Sequence, residues 1–167
     1  FNNGGFTLYS DSMMGFNSDF FFIAPVMLAV VVGGLGFPVL IELHERLWRL
    51  NIQPNGKPKR FSLHTRLTLG ATIVLLALGS LFIGALEWNN PNTLGALSGL
   101  DRIWNTIFAS VMPRSGGLNA VDISQMDPAT WLGMDFLMFI GGGSASAAGG
   151  IKVTTMAVLF YIIYTEI

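Results

Sequence analysis

Two short glycine-rich stretches have the residue types to handle a bare cation. One is Asn2-Asn3-Gly4-Gly5-Phe6, with Asp11 behind it; the other is Arg114-Ser115-Gly116-Gly117-Leu118-Asn119, followed by Asp122. Each sets two polar residues, two glycines and a large apolar residue ahead of an aspartate. Glycine reaches backbone angles closed to other residues, so successive carbonyls can turn toward one axis. A ring of carbonyls can replace the water around a cation. The candidate ion-facing residues are therefore Asn3, Gly4 and Gly5 in the first copy and Ser115, Gly116 and Gly117 in the second. Two loops cannot surround an ion, whereas four could.

A third stretch, Gly141-Gly142-Gly143-Ser144-Ala145-Ser146-Ala147-Ala148-Gly149-Gly150, leads through Ile151 to Lys152. It interrupts an apolar region, Phe136 to Tyr164. Glycine costs a helix about 1 kcal/mol per position relative to alanine, so this run predicts a break. Non-helical backbone at membrane depth survives only where protein or water satisfies its polar groups.

These stretches need elements to hold them. Residues Phe20 to Ile41 give 22 positions without a charge, and Leu67 to Leu86 give 20 more. Crossing about 30 Å of hydrocarbon takes roughly 20 apolar residues, so both predict ordinary unbroken membrane helices. Asp101 to Met112 carry Ile103, Trp104, Ile107, Phe108 and Val111 at the spacing of one helical face. Asp101 is the expected cap and Pro113 the stop. At about 1.5 Å per residue this helix, 102–112, is too short to cross. It fits a re-entrant segment that enters and leaves by the same face; an amphipathic helix lying on the surface is the alternative. Its partly negative C-terminal end would point at the glycine loop 113–119.

The two glycine copies lie 112 residues apart, and each is followed by an apolar run reaching a second glycine group. Together they read as a repeat of span, short helix, glycine loop and span. Three segments follow: 1–50, a glycine loop and its span; 51–66, a basic loop; and 67–167, a second unit with a span at 67–86 and a broken span at 131–166.

Composition narrows the class. Of 167 residues only 11% are charged and 51% are hydrophobic, with a mean hydropathy of +0.57. A typical soluble domain carries roughly 25% charged residues. Nine basic against ten acidic residues exclude a basic nucleic-acid binder. The absence of cysteine excludes disulfide scaffolds and thiolate metal sites. Six of the nine basic residues (Arg46, Arg49, Lys57, Lys59, Arg60 and Arg66) fall between the first two spans. The positive-inside rule places the loop 42–66 in the cytoplasm. A start at Phe1 and a stop inside an apolar run suggest a piece of a longer protein.

Five stretches in this order resemble the Trk/Ktr/HKT potassium-transporter superfamily. They are Phe1-Asn2-Asn3-Gly4-Gly5-Phe6, Gly33-Gly34-Leu35-Gly36-Phe37-Pro38, Ser62-Leu63-His64-Thr65, Met112 to Asn119 and Gly141 to Lys152. The Ser-Leu-His-Thr stretch is most similar to the KtrB-like membrane subunits of bacterial Ktr systems. The resemblance implies an all-α integral membrane fold of four repeats, each with two spans around a pore loop. This chain would run from the second pore loop to the second span of the third repeat. The filter glycines would be Gly5 and Gly117, binding K+ through their backbone, and Gly141–Lys152 would gate the path below them. It further implies potassium uptake across the bacterial cytoplasmic membrane by a homodimer. A ring of KtrA-like cytoplasmic nucleotide-binding regulatory subunits would control it, and any NAD, ATP or ADP would bind there. No cofactor is expected in this chain beyond K+ as the transported ion, with Na+ as a possible coupled or co-transported ion. The family usually has Ala at the positions of Gly4 and Gly116, Thr at Ser115 and Phe at Leu118. Those exchanges bear on selectivity and leave open a sodium-permeable transporter of the same fold.

Other readings of single residues stand beside these. Lys152 could anchor the gate loop, repel cations from a closed pore, or snorkel to the cytoplasmic face. Arg114 could face the pore, pair with Asp122, or complement the preceding helix end. His44 and His64 read as loop residues rather than metal ligands, and Asp135 as an outer-interface residue. Gly149-Gly150-Ile151-Lys152-Val153-Thr154 lacks the contiguous Gly-Lys-Ser/Thr of a phosphate loop, and no catalytic constellation converges, so no enzyme is expected. A non-conducting scaffold, with glycines serving only close helix packing, is the reading from another class.

Overall fold

The computed structural model describes residues 4–47 and 61–166. Asn3 and the basic residues Arg49, Lys57, Lys59 and Arg60 lie outside the described residues. The described residues form helices and irregular loops, joined by one isolated parallel bridge between Ile140 and Ile151. The helices are α1 (Phe20–Leu35), α2 (Phe37–Leu47), α3 (Leu63–Glu87), α4 (Gly99–Val111), α5 (Pro128–Phe139) and α6 (Val153–Glu166).

Helix α3 is the axis of the molecule. It touches α2, α4, α5 and α6, while α1 packs on α4. Its 25 residues make it about 37 Å long, enough to cross a bilayer. Ser62 caps it, its hydroxyl accepting from Thr65 N at 3.2 Å. Glu42 of α2 holds that cap by accepting from Ser62 N at 2.6 Å, Ser62 Oγ at 2.8 Å and Thr65 Oγ1. Outward, α3 exposes Ile73, Leu78, Leu81 and Phe82. So large an apolar face suits lipid rather than water.

The first apolar stretch departs from expectation. Phe20 to Ile41 is not one unbroken helix: α1 ends at Leu35, α2 starts at Phe37, and the two meet at 108°. Gly36 makes the corner at φ +91°, and Pro38, in the first turn of the new helix, has no amide hydrogen to lose.

The short helix is present but begins earlier than predicted. Ser98 occupies its cap position and Asp101 lies in its first turn. Its buried side is also more polar than the apolar spacing implied. Asn105, Thr106 and Ser110 are buried along with Phe108, Ala109 and Val111, whereas Ile103 is exposed. Backbone carbonyls accept from the donor group of each of these side chains. Asn105 Nδ2 donates to Asp101 O and Asn17 O, Thr106 Oγ1 to Arg102 O, and Ser110 Oγ to Leu76 O of α3. Inside a low-dielectric environment such bonds are obligatory.

Two apolar clusters flank α4. Ile23, Met27, Phe108, Val111, Met112 and Ala120 join it to α1. Ile83, Leu94, Ala109, Val121, Met126, Met134 and Leu137 join it to α3 and α5. The loops that follow α3 and lead into α5 hang on Glu87, fully buried at the end of α3. It accepts from Thr130 Oγ1 and Thr93 Oγ1 (both 2.6 Å), Asp127 N and Asn90 Nδ2 (both 2.8 Å). The sequence reading gave this residue no role beyond its charge. Four convergent donors to one carboxylate come from tertiary structure, not from a motif.

Candidate functional site

The short helix α4 stops where its last carbonyls find new donors. Met112 O accepts from both Gly116 N (2.7 Å) and Gly117 N (3.1 Å), folding the chain back on the helix end. The fold-back places Ser115 at φ +72° and Gly117 at φ +69°. Only glycine takes such angles without strain, which accounts for Gly117. Gly5 has nearly the same angle, φ +66°, although it lies in the other copy.

The two copies are in contact. A Cβ added to Gly5 would sit 2.7 Å from Gly117 Cα and 2.9 Å from Gly116 O, and one added to Gly117 would sit 3.0 Å from Gly5 Cα. Two further bonds knit the copies behind the glycines: Met13 N donates to Asn119 O at 2.9 Å, and Asn119 N to Ser12 Oγ at 3.1 Å. Of the six predicted ion-facing residues, Gly4, Gly5, Ser115, Gly116 and Gly117 are thus brought together; Asn3 lies outside the described residues.

The third glycine stretch forms an open loop between α5 and α6. Its neck is tied by Gly141 N donating to Ile151 O (2.9 Å), Ile151 N to Phe139 O (3.0 Å) and Val153 N to Gly142 O (3.0 Å). A Cβ on Gly141 would overlap the carbonyl oxygen of Gly149, so the neck closes only around glycine. Lys152 Nζ donates to Ala148 O at 2.6 Å, fastening the loop to itself.

The corner between α1 and α2 receives this loop, a partnership the sequence reading did not anticipate. Gly143 N donates to Gly34 O (2.7 Å), Ala147 N to Gly33 O (3.4 Å), and Phe37 N to Ala145 O (3.2 Å). Helix ends leave backbone groups without intrahelical partners. Here the loop supplies donors to the end of α1 and an acceptor to the start of α2. The signal was present in three glycines and a proline between 33 and 38.

Arg114 does not pair with Asp122. Asp122 instead caps a short turn, accepting from Ser124 N and Oγ. The Arg114 side chain runs the other way, and its NH2 donates to Gly141 O at 3.1 Å. Helix α5 starts at Pro128 with Asp127 as its cap, so Asp135 lies two turns into the helix rather than at its mouth. There it lines a groove of about 540 Å³ with Met112, Ser115, Gly117, Met134, Met138 and Gly149.

The cation transport protein family TrkH matches residues 1–167. The chain belongs to the TrkH family. Among its relatives, the Ktr system potassium uptake protein B of Bacillus subtilis is 40% identical over 159 residues, covering 95% of this chain and 34% of the relative. The protein of the same name from Vibrio alginolyticus is 39% identical over 165 residues, covering 99% and 35%. The potassium/sodium uptake protein NtpJ of Enterococcus hirae is 36% identical over 159 residues, covering 95% and 33%. The crystal structure of the potassium transporter TrkH from Vibrio parahaemolyticus superposes with a TM-score of 0.75 at 18% identity, covering 99% of this chain and 33% of that one. The chain therefore has the TrkH-family helical fold and spans about one third of the length of the relatives it matches.

Proposed function

We propose that the chain is the middle part of a potassium-uptake pore in a bacterial cytoplasmic membrane. Asn3–Gly5 and Ser115–Gly117 supply two of four filter segments, and Gly141–Lys152 is the gate beneath them. The observation that carries this reading is the meeting of Gly5 and Gly117, far apart in sequence, with matching left-handed angles. Backbone held in that form at membrane depth is expected where it lines an ion path. The segments 1–50, 51–66 and 67–167 are then one filter loop with its span, a cytoplasmic basic loop, and the third repeat. The assembly is a homodimer on a ring of nucleotide-binding regulatory subunits.

Sodium permeation is the second reading. A relative named for potassium and sodium uptake favours it, together with Leu118 beside the filter. One experiment addresses both. Potassium and sodium uptake by the full-length parent and its Gly117→Ser variant would be measured in cells lacking their own uptake systems, at matched expression. The filter reading predicts loss of potassium uptake or a shift toward sodium. Unchanged uptake in the variant contradicts the filter assignment, and no uptake by an expressed parent with its regulatory partner contradicts the transport reading.

A further inference from the structure

We propose that Arg114 and Ser115 form a brace that ties the filter loop to the gate loop and holds the gate shut. This rests on the reading of Gly141–Lys152 as the gate. The two residues are consecutive, yet they bond opposite sides of the gate-loop neck. Arg114 NH2 donates to Gly141 O at 3.1 Å, and Ser115 Oγ accepts from Gly149 N at 3.0 Å. Gly141 and Gly149 are themselves in contact, so the brace grips the loop where its two strands are closest.

The remaining loop contacts differ in kind. Those to α1 and α2 are backbone to backbone, and those at the neck lie within the loop and its flanking helices. Among the described residues, the side-chain hydrogen bonds joining the loop to the filter segment are those of the brace. It is therefore the link through which a change at one is felt at the other.

Two features make it a latch rather than passive packing. Arg114 is only 8% exposed, and its Nε has no partner among the described residues. Much of what the buried guanidinium gains thus depends on the Gly141 carbonyl, and withdrawing the loop removes it. Ser115 sits at φ +72°, an angle a non-glycine residue holds only under constraint. The closed gate is thus held by both bonds, and both are released when the loop moves away.

The test measures rubidium or potassium uptake by the full-length protein, with and without its regulatory subunits. It compares the parent with Arg114→Gln, Arg114→Lys and Ser115→Ala. A brace predicts that Arg114→Gln and Ser115→Ala each raise uptake without the regulatory subunits several-fold. Arg114→Lys should give a smaller rise, and Arg114→Gln should keep the parental preference for potassium over sodium. Uptake that stays at the parental level in both variants, or falls in both at equal surface expression, overturns the brace. Should Arg114→Gln fail to reach the membrane, Ser115→Ala alone decides. A parent that takes up no potassium even with its subunits overturns the underlying transport reading instead.

Discussion

The chain breaks its apolar helical runs twice, and the two breaks are built differently. At Gly36 a single residue turns α1 into α2 through 108°. Between Phe139 and Val153 the chain leaves helix for a whole loop. The first break exposes carbonyls at Gly33 and Gly34 and an amide at Phe37; the second supplies Gly143 N, Ala147 N and Ala145 O to meet them. A backbone group unsatisfied in hydrocarbon costs several kcal/mol, so neither break is tolerable without the other. The sharp corner acts as a cradle, and under the proposed function the long loop is the piece that leaves it.

Alanine substitutions separate the two roles. The largest effect is expected from Gly141→Ala, because the new Cβ would overlap the Gly149 carbonyl oxygen, which belongs to backbone and cannot swing aside. Overpacking of this kind costs about 3 kcal/mol. The full-length variant should show a clear drop in thermal unfolding midpoint in detergent and lose uptake. Gly36→Ala should cost somewhat less, about 2 kcal/mol, from its left-handed angle and the approach of Ser144 O. A normal midpoint in that variant would break the cradle account while leaving the neck intact. Gly34→Ala should be the mildest. It stands two residues from Gly36, but its Cβ would meet nothing within 4 Å and its carbonyl stays in place. A midpoint change of under about 0.5 kcal/mol equivalent is expected, and a large loss would mean that the corner is packed more tightly than described.

The sequence made some of this architecture legible and hid the rest for physical reasons. Length and hydropathy disclosed α3, and glycine density disclosed the loop at 141–152, because both are local properties of the chain. The short helix was visible from its apolar spacing. Its polar buried side was not, since Asn105, Thr106 and Ser110 depend on carbonyls that only the fold delivers. The corner at Gly36 was missed because hydropathy is blind to direction: the stretch stays apolar while its axis turns. The candidate filter glycines were legible as a pair of similar motifs, but their contact was not. Arg114 was legible as a charge near a glycine loop, yet its partner lies 27 residues on and is a carbonyl, which no side-chain pattern announces.

The most direct measurement is a cross-link between cradle and loop. This stretch contains no cysteine, so Phe37→Cys and Ala145→Cys can be introduced together into a full-length parent freed of any others. Both positions are exposed, and Phe37 N lies 3.2 Å from Ala145 O. The account predicts that mild oxidation joins them within one chain, stops potassium uptake, and that reductant restores it. A pair that cross-links fully while uptake continues unchanged would contradict a gate that has to leave the cradle. A pair that does not cross-link would contradict the cradle itself.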